Sequence, residues 1–295
     1  MKNLKVGTHN GVFHADDVFS IAALSRIATV EVVRSRDPKV LATCDLRVDV
    51  GGECAPEKCT LDHHMKGGAG KRPNGVPYAA FGLVWRQFGV EASGGDAEVA
   101  RIVDEGLVQP VAAVDNGFSL MAGEEVVKGI LPYTVSSAIS AMNPTWQEAP
   151  DFDVAFGRAV EMAAIILERE IVAARGVIVA TAVVREAIAK GADPRLVVLD
   201  HFCPWQEVVV PEAPAALFVC FPSETGDWRI QAIPPTLGSF EKRRALPEEW
   251  AGKLVAELAA LTEVSDAVFC HPGRFIAGAQ SREGVLRMAE LALRD

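Results

Sequence analysis

The stretch LKVGTHNGVFHADDVFSIAALSRI, residues 4–27, decides the fold of the first part of the chain. Residues 4–8 form a strand-like run. Residues 14–27 predict a helix, because apolar side chains such as Val18 and Leu24 recur on one of its faces. A strand followed directly by a helix is the repeating pattern of α/β proteins. The stretch therefore predicts an α/β fold with a parallel sheet near its start.

The same alternation continues along the chain. Further strands are predicted at residues 30–34, 46–50, 60–61, 196–199, 216–221, 228–233 and 267–270. Further helices are predicted at residues 78–88, 97–113, 247–261 and 282–293. An alanine-rich stretch at 152–190 is long enough for two helices or one long connecting helix. We expect a parallel-sheet domain at 1–150, a helical connector at 151–190 and a smaller α/β domain at 191–295.

The composition is that of a globular protein, with 49% hydrophobic and 23% charged residues. A formal net charge of −10 argues against a broad electrostatic surface for nucleic acid. Acidic residues that bind metal ions, however, count as negative only until the ions bind. A nucleic-acid substrate would need a local basic strip, for which the candidates are Arg34, Arg36, Lys66, Lys71 and Arg72.

The sequence predicts no membrane segment. The opening residues, MKNLKVGTHNG, lack the basic and apolar regions of a signal peptide. The longest uncharged run contains prolines and several hydroxyl side chains, which do not suit a spanning helix. We therefore expect a cytoplasmic protein with no membrane partner and with free cysteines, since the six cysteines form no CxxC pair. The sequence leaves open whether the chain forms a homodimer.

Histidines and aspartates concentrate in four short segments that follow apolar runs. These segments contain His9, His14, Asp16, Asp49, Asp62, His63, His64 and Asp115. The carboxyl ends of strands are where α/β sheets bind ligands. A single histidine or aspartate at such a place is usually a turn residue, a helix cap or a solvated group. Several gathered at one edge are costly without a cation, so together they predict a metal site.

The donor types indicate which metal this site would bind. Imidazole and carboxylate ligands without thiolate favour a divalent ion such as manganese, ahead of zinc or iron. The sequence therefore predicts a manganese-type centre.

Four segments, HNGVFHAD, VDVGG, LDHH and AVDNG, resemble the ordered motifs of the DHH phosphoesterase superfamily. One branch, the melanocyte-proliferating-gene (MYG) exonuclease family, is also called metal-dependent protein hydrolase. The chain is similar to this branch in eight segments, namely GTHNGVFHADD, RSRDP, VDVGGE, DHH, AVDNG, NPTW, DWRIQAIP and FIAGAQSREG. The likeness extends from about residue 4 to the last predicted helix.

The resemblance implies a DHH-type catalytic domain with two divalent ions, expected to be Mn²⁺, about 3.5–4 Å apart. By this resemblance, the first ion would be bound by His9 and His14. The second ion would be bound by Asp16, His63 and Asp115. Asp49 would bridge the two ions. The superfamily's first motif is commonly His-x3-Asp-x-Asp, whereas this chain has His-x4-His-x-Asp. His14 therefore stands where an aspartate is usual.

Three neighbouring residues have expected roles at this centre. Asp62 is expected to orient a ligating histidine. His64 is expected to face the substrate phosphate as a charge stabiliser or proton donor, with a backbone-paired histidine as the alternative. Asp17 is expected to cap the first helix or to be solvated, rather than to bind metal.

A second candidate site lies in the segment GRFIAGAQSR, residues 273–282. Its glycines, basic residues and helix start are typical of a phosphate cradle, although an ordinary strand–turn–helix junction is an equal alternative. The candidate substrate contacts are Arg36, Lys71, Arg72, Arg274, Gly278 and Arg282. Three tryptophans could stack on bases, but a buried core position is favoured for each, namely Trp146, Trp205 and Trp228.

The preferred interpretation is a metal-dependent phosphoester hydrolase. The resemblance implies a 3′–5′ exonuclease that acts on RNA or short oligonucleotides through a two-metal-activated water. One alternative is hydrolysis of a small phosphorylated molecule, such as a cyclic dinucleotide, a bisphosphate nucleotide or pyrophosphate, which the acidic net charge favours. Another is a non-catalytic metal-binding regulatory protein, against which a complete ligand set with His64 argues.

Overall fold

The computed structural model describes residues 2–120, 130 and 132–294. The chain divides into two compact units, Met1–Arg175 and Gly176–Asp295, and each contains its own sheet. The predicted α/β class is thereby confirmed. The division falls inside the long helical stretch, and the three-part division at residues 150 and 190 stays a prediction.

The sheet of the first unit is built around the N-terminal strand. Its strands are β1 (Lys2–Thr8), β2 (Ala28–Arg34), β3 (Leu46–Val48), β4 (Cys54–Ala55) and β5 (Thr60–Leu61). Their order is β2-β1-β3-β5-β4, and only β4, at the edge, is antiparallel to its neighbour. The carboxyl ends of β1, β3 and β5 therefore meet at one edge of the sheet.

Helices cover this sheet and continue into the second unit. They are α1 (Ala15–Leu24), α2 (Pro38–Leu41), α3 (Ala80–Ala92), α4 (Ala97–Val103), α5 (Gln109–Asp115), α6 (Val135–Ser140) and α7 (Phe152–Lys190). A π-helical turn, Asp104–Val108, joins α4 to α5. The long stretch forms one helix of 39 residues rather than two. None of the described helices has the length and apolar composition needed to cross a membrane.

The first helix, α1, is buried along its whole length. It packs against α3, where the rings of Phe19 and Phe81 stack with centroids 5.4 Å apart. A helix that is enclosed on all sides needs apolar residues around its circumference, which α1 provides in its second and third turns. Its first turn, however, contains Asp16 and Asp17, both with no exposed surface. Two carboxylates are thus held inside the protein.

The second unit contains a mixed sheet. Its strands are β6 (Leu196–Val198), β7 (Phe218–Pro222), β8 (Trp228–Ala232), β9 (Ala267–Cys270) and β10 (Ile276–Ala279). Their order is β6-β7-β8-β10-β9, with only β6 and β7 parallel. Its further helices are α8 (Gln206–Glu212), α9 (Val255–Thr262) and α10 (Arg282–Ala292).

The helix predicted at 247–261 is broken into a 3-10 turn, Glu248–Trp250, followed by α9. Gly252 lies between the two with φ 70°, in the left-handed region that ends a helix. Trp250 packs into the core of this unit with Met288. The prediction of one continuous helix is therefore wrong at this glycine.

Candidate metal centre

The parallel strands β1, β3 and β5 bring the predicted site residues to one edge of the sheet. His9 directly follows β1, Asp49 follows β3, and Asp62 and His63 follow β5. All four side chains are almost completely buried. The expected gathering of imidazole and carboxylate groups at strand ends is present for these residues.

Asp49 lies among three histidines. Its Oδ2 is 3.3 Å from His9 Nε2, and its Oδ1 is 3.3 Å from both His63 Nε2 and His64 Nδ1. Burial by itself would raise the pKa of Asp49, but hydrogen bonds from these histidines hold that pKa well below its usual range. The backbone is left-handed at Asp49, with φ 57°, a conformation that aspartate tolerates better than bulkier residues. The carboxylate is therefore ionised. It presents Oδ2 to His9 and Oδ1 to His63 and His64.

On one side of Asp49, the ligand atoms of His9 and Asp17 complete a group within 4.8 Å. Asp17 Oδ2 is 3.3 Å from His9 Nε2 and accepts no hydrogen bond from the described residues. Asp17 Oδ1 accepts a hydrogen bond from the backbone N–H of His14 at 2.9 Å, so Asp17 also caps α1. Burial raises the pKa of Asp17 to about 7. A buried carboxylate oxygen without a donor is costly, and a cation would balance it.

His14, expected as a ligand of the first ion, lies outside this group. Its side chain is exposed, and its ring centroid is 5.9 Å from that of His9. The helix begins one residue later, at Ala15, so the third helical residue, Asp17, points back toward His9. The expectation that Asp17 is a cap is met, but the alternative that it is solvated is wrong. A ligand role for His14 stays a prediction, and Asp17 is the better placed residue.

On the other side of Asp49, three carboxylates surround one nitrogen of His63. His63 Nε2 is 3.2 Å from Asp115 Oδ2, 3.3 Å from Asp49 Oδ1 and 3.8 Å from Asp16 Oδ2. Burial lowers the pKa of His63, but hydrogen bonds with Asp115 and Asp49 and the charge of Asp16 outweigh it and raise the pKa to about 10. The arrangement thus favours positive charge at this point, which a divalent cation would supply.

Asp16 and Asp115 occupy electrostatically unfavourable places. Asp16 is fully buried, and its carboxylate accepts hydrogen bonds from the backbone N–H groups of Ala80 (2.7 Å) and Phe81 (2.8 Å) at the start of α3. Burial raises the pKa of Asp16 well above its usual range, and the charges of Asp49 and Asp115 add to this. Asp115 ends α5 rather than a strand, where the helix dipole opposes a negative charge. A cation between them would offset both.

His64 is held by Asp62. Asp62 Oδ1 accepts hydrogen bonds from the backbone N–H of His63 (2.7 Å) and lies 2.9 Å from His64 Nδ1, while Oδ2 accepts from the N–H of Gly52 (2.6 Å). Asp62 therefore orients the ring of His64, and not that of His63. A hydrogen bond with Asp49 raises the pKa of His64 to about 9, although partial burial opposes it. Since 61% of this side chain is exposed, His64 presents a protonated ring to solvent.

Cavities open on both sides of His64. The larger, of about 880 Å³, is lined by Asp16, His63, Asp115 and His14 together with three serines of α6, namely Ser136, Ser137 and Ser140. The smaller, of about 270 Å³, is lined by residues that include His9, Asp49 and Arg36. The larger volume suits a nucleotide-sized ligand. The serine wall was missed by sequence reasoning, because α6 is a single short helix without a periodic apolar signal.

The loop between His9 and His14 is fixed by a residue that sequence reasoning also missed. The side-chain amide of Asn143 accepts a hydrogen bond from the backbone N–H of Phe13 (3.0 Å) and donates one to its carbonyl (2.9 Å). This pair joins positions 130 residues apart in the chain. The NPTW motif, in which Asn143 is the first residue, was the available signal. Asn143 thus holds the backbone immediately before α1.

The basic residues predicted near the site separate into two groups. Arg36 is exposed at the smaller cavity and donates to the backbone and side-chain oxygens of Asn10, and Lys71 is also exposed. Arg34 is buried; it donates to the Gly11 carbonyl (2.6 Å). These contacts leave Arg36 and Lys71 available to substrate, whereas Arg34 supports the loop that follows β1.

Arg72 is the second basic residue that the structure buries. Its Nη2 lies 2.9 Å from Asp104 Oδ1, and its guanidinium stacks over the ring of Tyr78, with 4.4 Å from Cζ to the centroid. With only 6% of Arg72 exposed, the expected contact with substrate is wrong. Arg72 instead forms an ion pair with the first residue of the π-helical turn, Asp104.

The predicted phosphate cradle at 273–282 forms a turn, the strand β10 and a helix start. A Cβ on Gly278 would lie only 3.0 Å from the backbone carbonyl oxygen of Trp228, so this glycine allows close packing of β8 and β10. Arg274 lies in the turn with φ 55° and donates to the Leu246 carbonyl at 3.3 Å. Ser281 accepts a hydrogen bond from the Gly284 N–H at 2.9 Å, which is ordinary capping. The junction alternative therefore describes most of the segment.

Arg282 differs from the rest of that segment. Its side chain is 46% exposed, and its Nη2 is 3.7 Å from Asp200 Oδ1. It lines a cavity of about 610 Å³ in the second unit, together with Lys190 and His201. Of the predicted cradle residues, Arg282 is the one whose charge faces open space.

Comparison with known proteins assigns the chain to a family. A family model named for MYG1 exonuclease and described as "Uncharacterised protein family (UPF0160)" matches residues 5–293. The chain belongs to this family. Among MYG1 relatives, proteins named MYG1 exonuclease from Homo sapiens and Rattus norvegicus are 33% and 34% identical to the chain. These alignments cover 98% of the chain and 85% and 84% of the relatives.

A third relative has a length similar to that of the chain. The MYG1 protein of Schizosaccharomyces pombe is 32% identical, with 99% of the chain and 98% of the relative covered. No solved structure matches the chain in the corresponding comparison. The expected membership of the MYG1 family is confirmed, whereas the wider DHH superfamily stays a prediction.

Proposed function

We propose that this protein is a two-metal phosphodiesterase that acts as a 3′–5′ exonuclease on RNA or short oligonucleotides. The observation that carries the proposal is the position of Asp49, which presents Oδ2 to His9 and Oδ1 to His63 at 3.3 Å each. A carboxylate shared in this way by two groups of His and Asp ligands is the feature that a dinuclear site requires. The names of the human and rat relatives, MYG1 exonuclease, support the choice of a nuclease.

The residues present fit two divalent ions. His9, Asp17 and Asp49 would hold one, and Asp16, His63, Asp115 and Asp49 the other. These donors are nitrogen and oxygen, which favours manganese. Two ions bound there supply activation of water near neutral pH and neutralise charge on the phosphate oxygens. The same set of unbalanced buried carboxylates gives a physical reason for the protein to bind cations.

His64 is the proposed proton donor. Its Nδ1 is engaged by Asp62, which leaves the second ring nitrogen for substrate. The exposed ring lines both cavities, where it can stabilise phosphate charge or protonate a leaving oxygen. Arg36, at the same cavity, is placed to bind a second phosphate.

Hydrolysis of a small phosphorylated molecule is the second candidate function. Two of the five residues in the predicted basic strip, Arg34 and Arg72, are buried and unable to contact a long polyanion. Together with the net charge of −10, their burial favours a short substrate. This observation supports a cyclic dinucleotide, a bisphosphate nucleotide or pyrophosphate.

A substrate panel tests the proposal. Chelator-treated protein would be supplied with Mn²⁺ or Mg²⁺ and given short RNA, short DNA, a cyclic dinucleotide, a bisphosphate nucleotide and pyrophosphate. We expect Mn²⁺-dependent release of mononucleotides from 5′-labelled RNA, with shortening from the 3′ end. The Asp49→Asn protein, purified in the same way, controls for a contaminating nuclease. Turnover of the small molecules alone would support the second candidate. Tightly held zinc without any turnover would indicate a regulatory protein.

A further inference from the structure

Trp146 is exposed in a way that separates it from the other tryptophans. The structure buries Trp85, Trp205 and Trp250, with at most 4% of each exposed, and partly buries Trp228. Trp146 instead is 90% exposed, so the expected core position is wrong. An indole presents a large flat surface of low polarity, and at the surface this ring face is available to stack on another ring.

The backbone around Trp146 is ordered by hydrogen bonds. The N–H of Thr145 donates to Glu148 Oε2 at 2.7 Å, and the N–H of Glu148 donates to the Thr145 carbonyl at 3.1 Å. These bonds close a turn that begins one residue before Trp146. The ring is therefore presented to solvent by a defined turn rather than by a loose segment.

The same turn follows closely in sequence after residues that contact the candidate metal centre. Asn143, three residues earlier, is bonded to Phe13 next to His14, and Ser140 lines the larger cavity. Three extended residues span at most about 11 Å. The Cα of Trp146 therefore lies within about that distance of the Cα of Asn143.

We infer that Trp146 stacks on a nucleobase of a single-stranded substrate whose phosphate occupies the larger cavity. This inference rests on the proposed function and names the part of the substrate that is bound outside the metal centre. Stacking needs an accessible ring face and no matched hydrogen-bond donors, so it accepts any base. It also explains how an acidic protein retains an oligonucleotide. With Arg34 and Arg72 buried, non-ionic contacts must replace part of the missing basic strip.

Steady-state kinetics on paired substrates test the inference. The substrates are a single-stranded oligonucleotide and an abasic oligonucleotide with the same phosphates. Trp146→Ala should raise KM for the first by about 5- to 150-fold, the range expected for loss of one base–aromatic stack. KM for the abasic strand should be unchanged. Trp146→Phe should have a KM close to that of the wild type, because an aromatic ring remains for stacking.

Ile165→Ala provides a matched control, since Ile165 is an exposed apolar residue, 68% accessible, on α7. Its KM should equal that of the wild type on both strands. An equal rise of KM on the base-containing and abasic strands after Trp146→Ala would overturn the inference. So would an unchanged KM on both, provided that the wild type cleaves them.

The same experiment separates this inference from the proposed function. If the wild type cleaves neither strand, the proposed exonuclease activity fails. The stack is then tested by fluorescence anisotropy with the labelled oligonucleotide. A weaker Kd for Trp146→Ala on the base-containing strand alone would support the inference. Equal Kd values, or no binding by the wild type, would overturn it.

Discussion

At the scale of single residues, Asp49 is the proposed link between the two groups of metal ligands. Asp49→Asn preserves the shape of the side chain and removes its charge, so both groups of ligands lose a shared anion. We expect the variant to lose most of its metal at both sites, whereas the wild type retains two ions. Metal content after dialysis against Mn²⁺, measured by mass spectrometry, checks this.

A second variant provides the contrast. His64 is 61% exposed and is assigned to substrate, so His64→Ala should retain its metal while turnover falls by about 10²- to 10⁴-fold. Normal occupancy in Asp49→Asn would contradict the bridging role. Loss of metal from His64→Ala would instead make His64 a ligand.

Asn143 is expected to act on the centre through the loop that it holds. Removing its amide in Asn143→Ala leaves the N–H and carbonyl of Phe13 without their partner and frees the backbone before α1. Groups that support metal ligands typically contribute 10- to 100-fold to affinity, so we expect Mn²⁺ binding to weaken by about that factor. Isothermal titration of the stripped protein measures it. Asn74→Ala is the control, because Asn74 bonds to Gln109 instead. Equal affinities in the two variants would limit Asn143 to a structural role.

Most of the proposed ligand positions could be predicted from the sequence, because His9, Asp49 and His63 each follow a strand-like run. The choice between His14 and Asp17 could not. Both lie within the first motif, and which of them faces His9 depends on the residue at which α1 begins. A one-residue difference in that start rotates every side chain of the first turn by about 100°.

At the scale of elements, Arg72 links the loop before α3 to the π-helical turn. Arg72→Ala would leave Asp104 without its charged partner, although Gln109 Nε2 would still donate to Oδ2 at 2.8 Å. It would also remove the guanidinium from the face of Tyr78. We expect a loss of about 2–4 kcal/mol in the free energy of unfolding, below the figure for a fully buried pair because the Asp104 side chain is 27% exposed. Urea denaturation measures it.

A neighbouring lysine tests whether the effect is specific to the buried position. Lys71→Ala, at an exposed position, should change the stability by less than about 0.5 kcal/mol. KM of Arg72→Ala for oligonucleotide should remain that of the wild type. A raised KM with an unchanged free energy of unfolding would show that Arg72 contacts substrate.

The elements that the sequence did not predict are short. They are α2, α6, α8, β4 and β10, none longer than seven residues. Apolar periodicity needs about two helical turns or four strand residues to be recognised. Among these elements α6 matters most, since it provides the serine wall of the larger cavity. The substrate side of the site was therefore less predictable than its metal side.

At the scale of the whole molecule, the chain divides into two compact units. The proposed ligands all lie in Met1–Arg175, within α1, α5 and the strand ends of the first sheet. The second unit contributes none of them. Arg282, one of the exposed cations of this unit, lines a separate cavity with Lys190 and His201. Any effect of this unit on catalysis should therefore come through the substrate.

Arg282→Ala tests whether the second unit acts through the substrate. If the second unit binds substrate phosphate, the variant should raise KM or lower kcat/KM while its metal content stays that of the wild type. The loss should be larger for an oligonucleotide than for bis-p-nitrophenyl phosphate, because more phosphates are available to the lost charge, and it should shrink as salt screens that charge. Arg274→Ala is the matched control, since Arg274 bonds to the Leu246 carbonyl within the turn. If Arg282→Ala has wild-type kinetics on both substrates, the segment is only a capped junction. The second unit then does not bind substrate through Arg282.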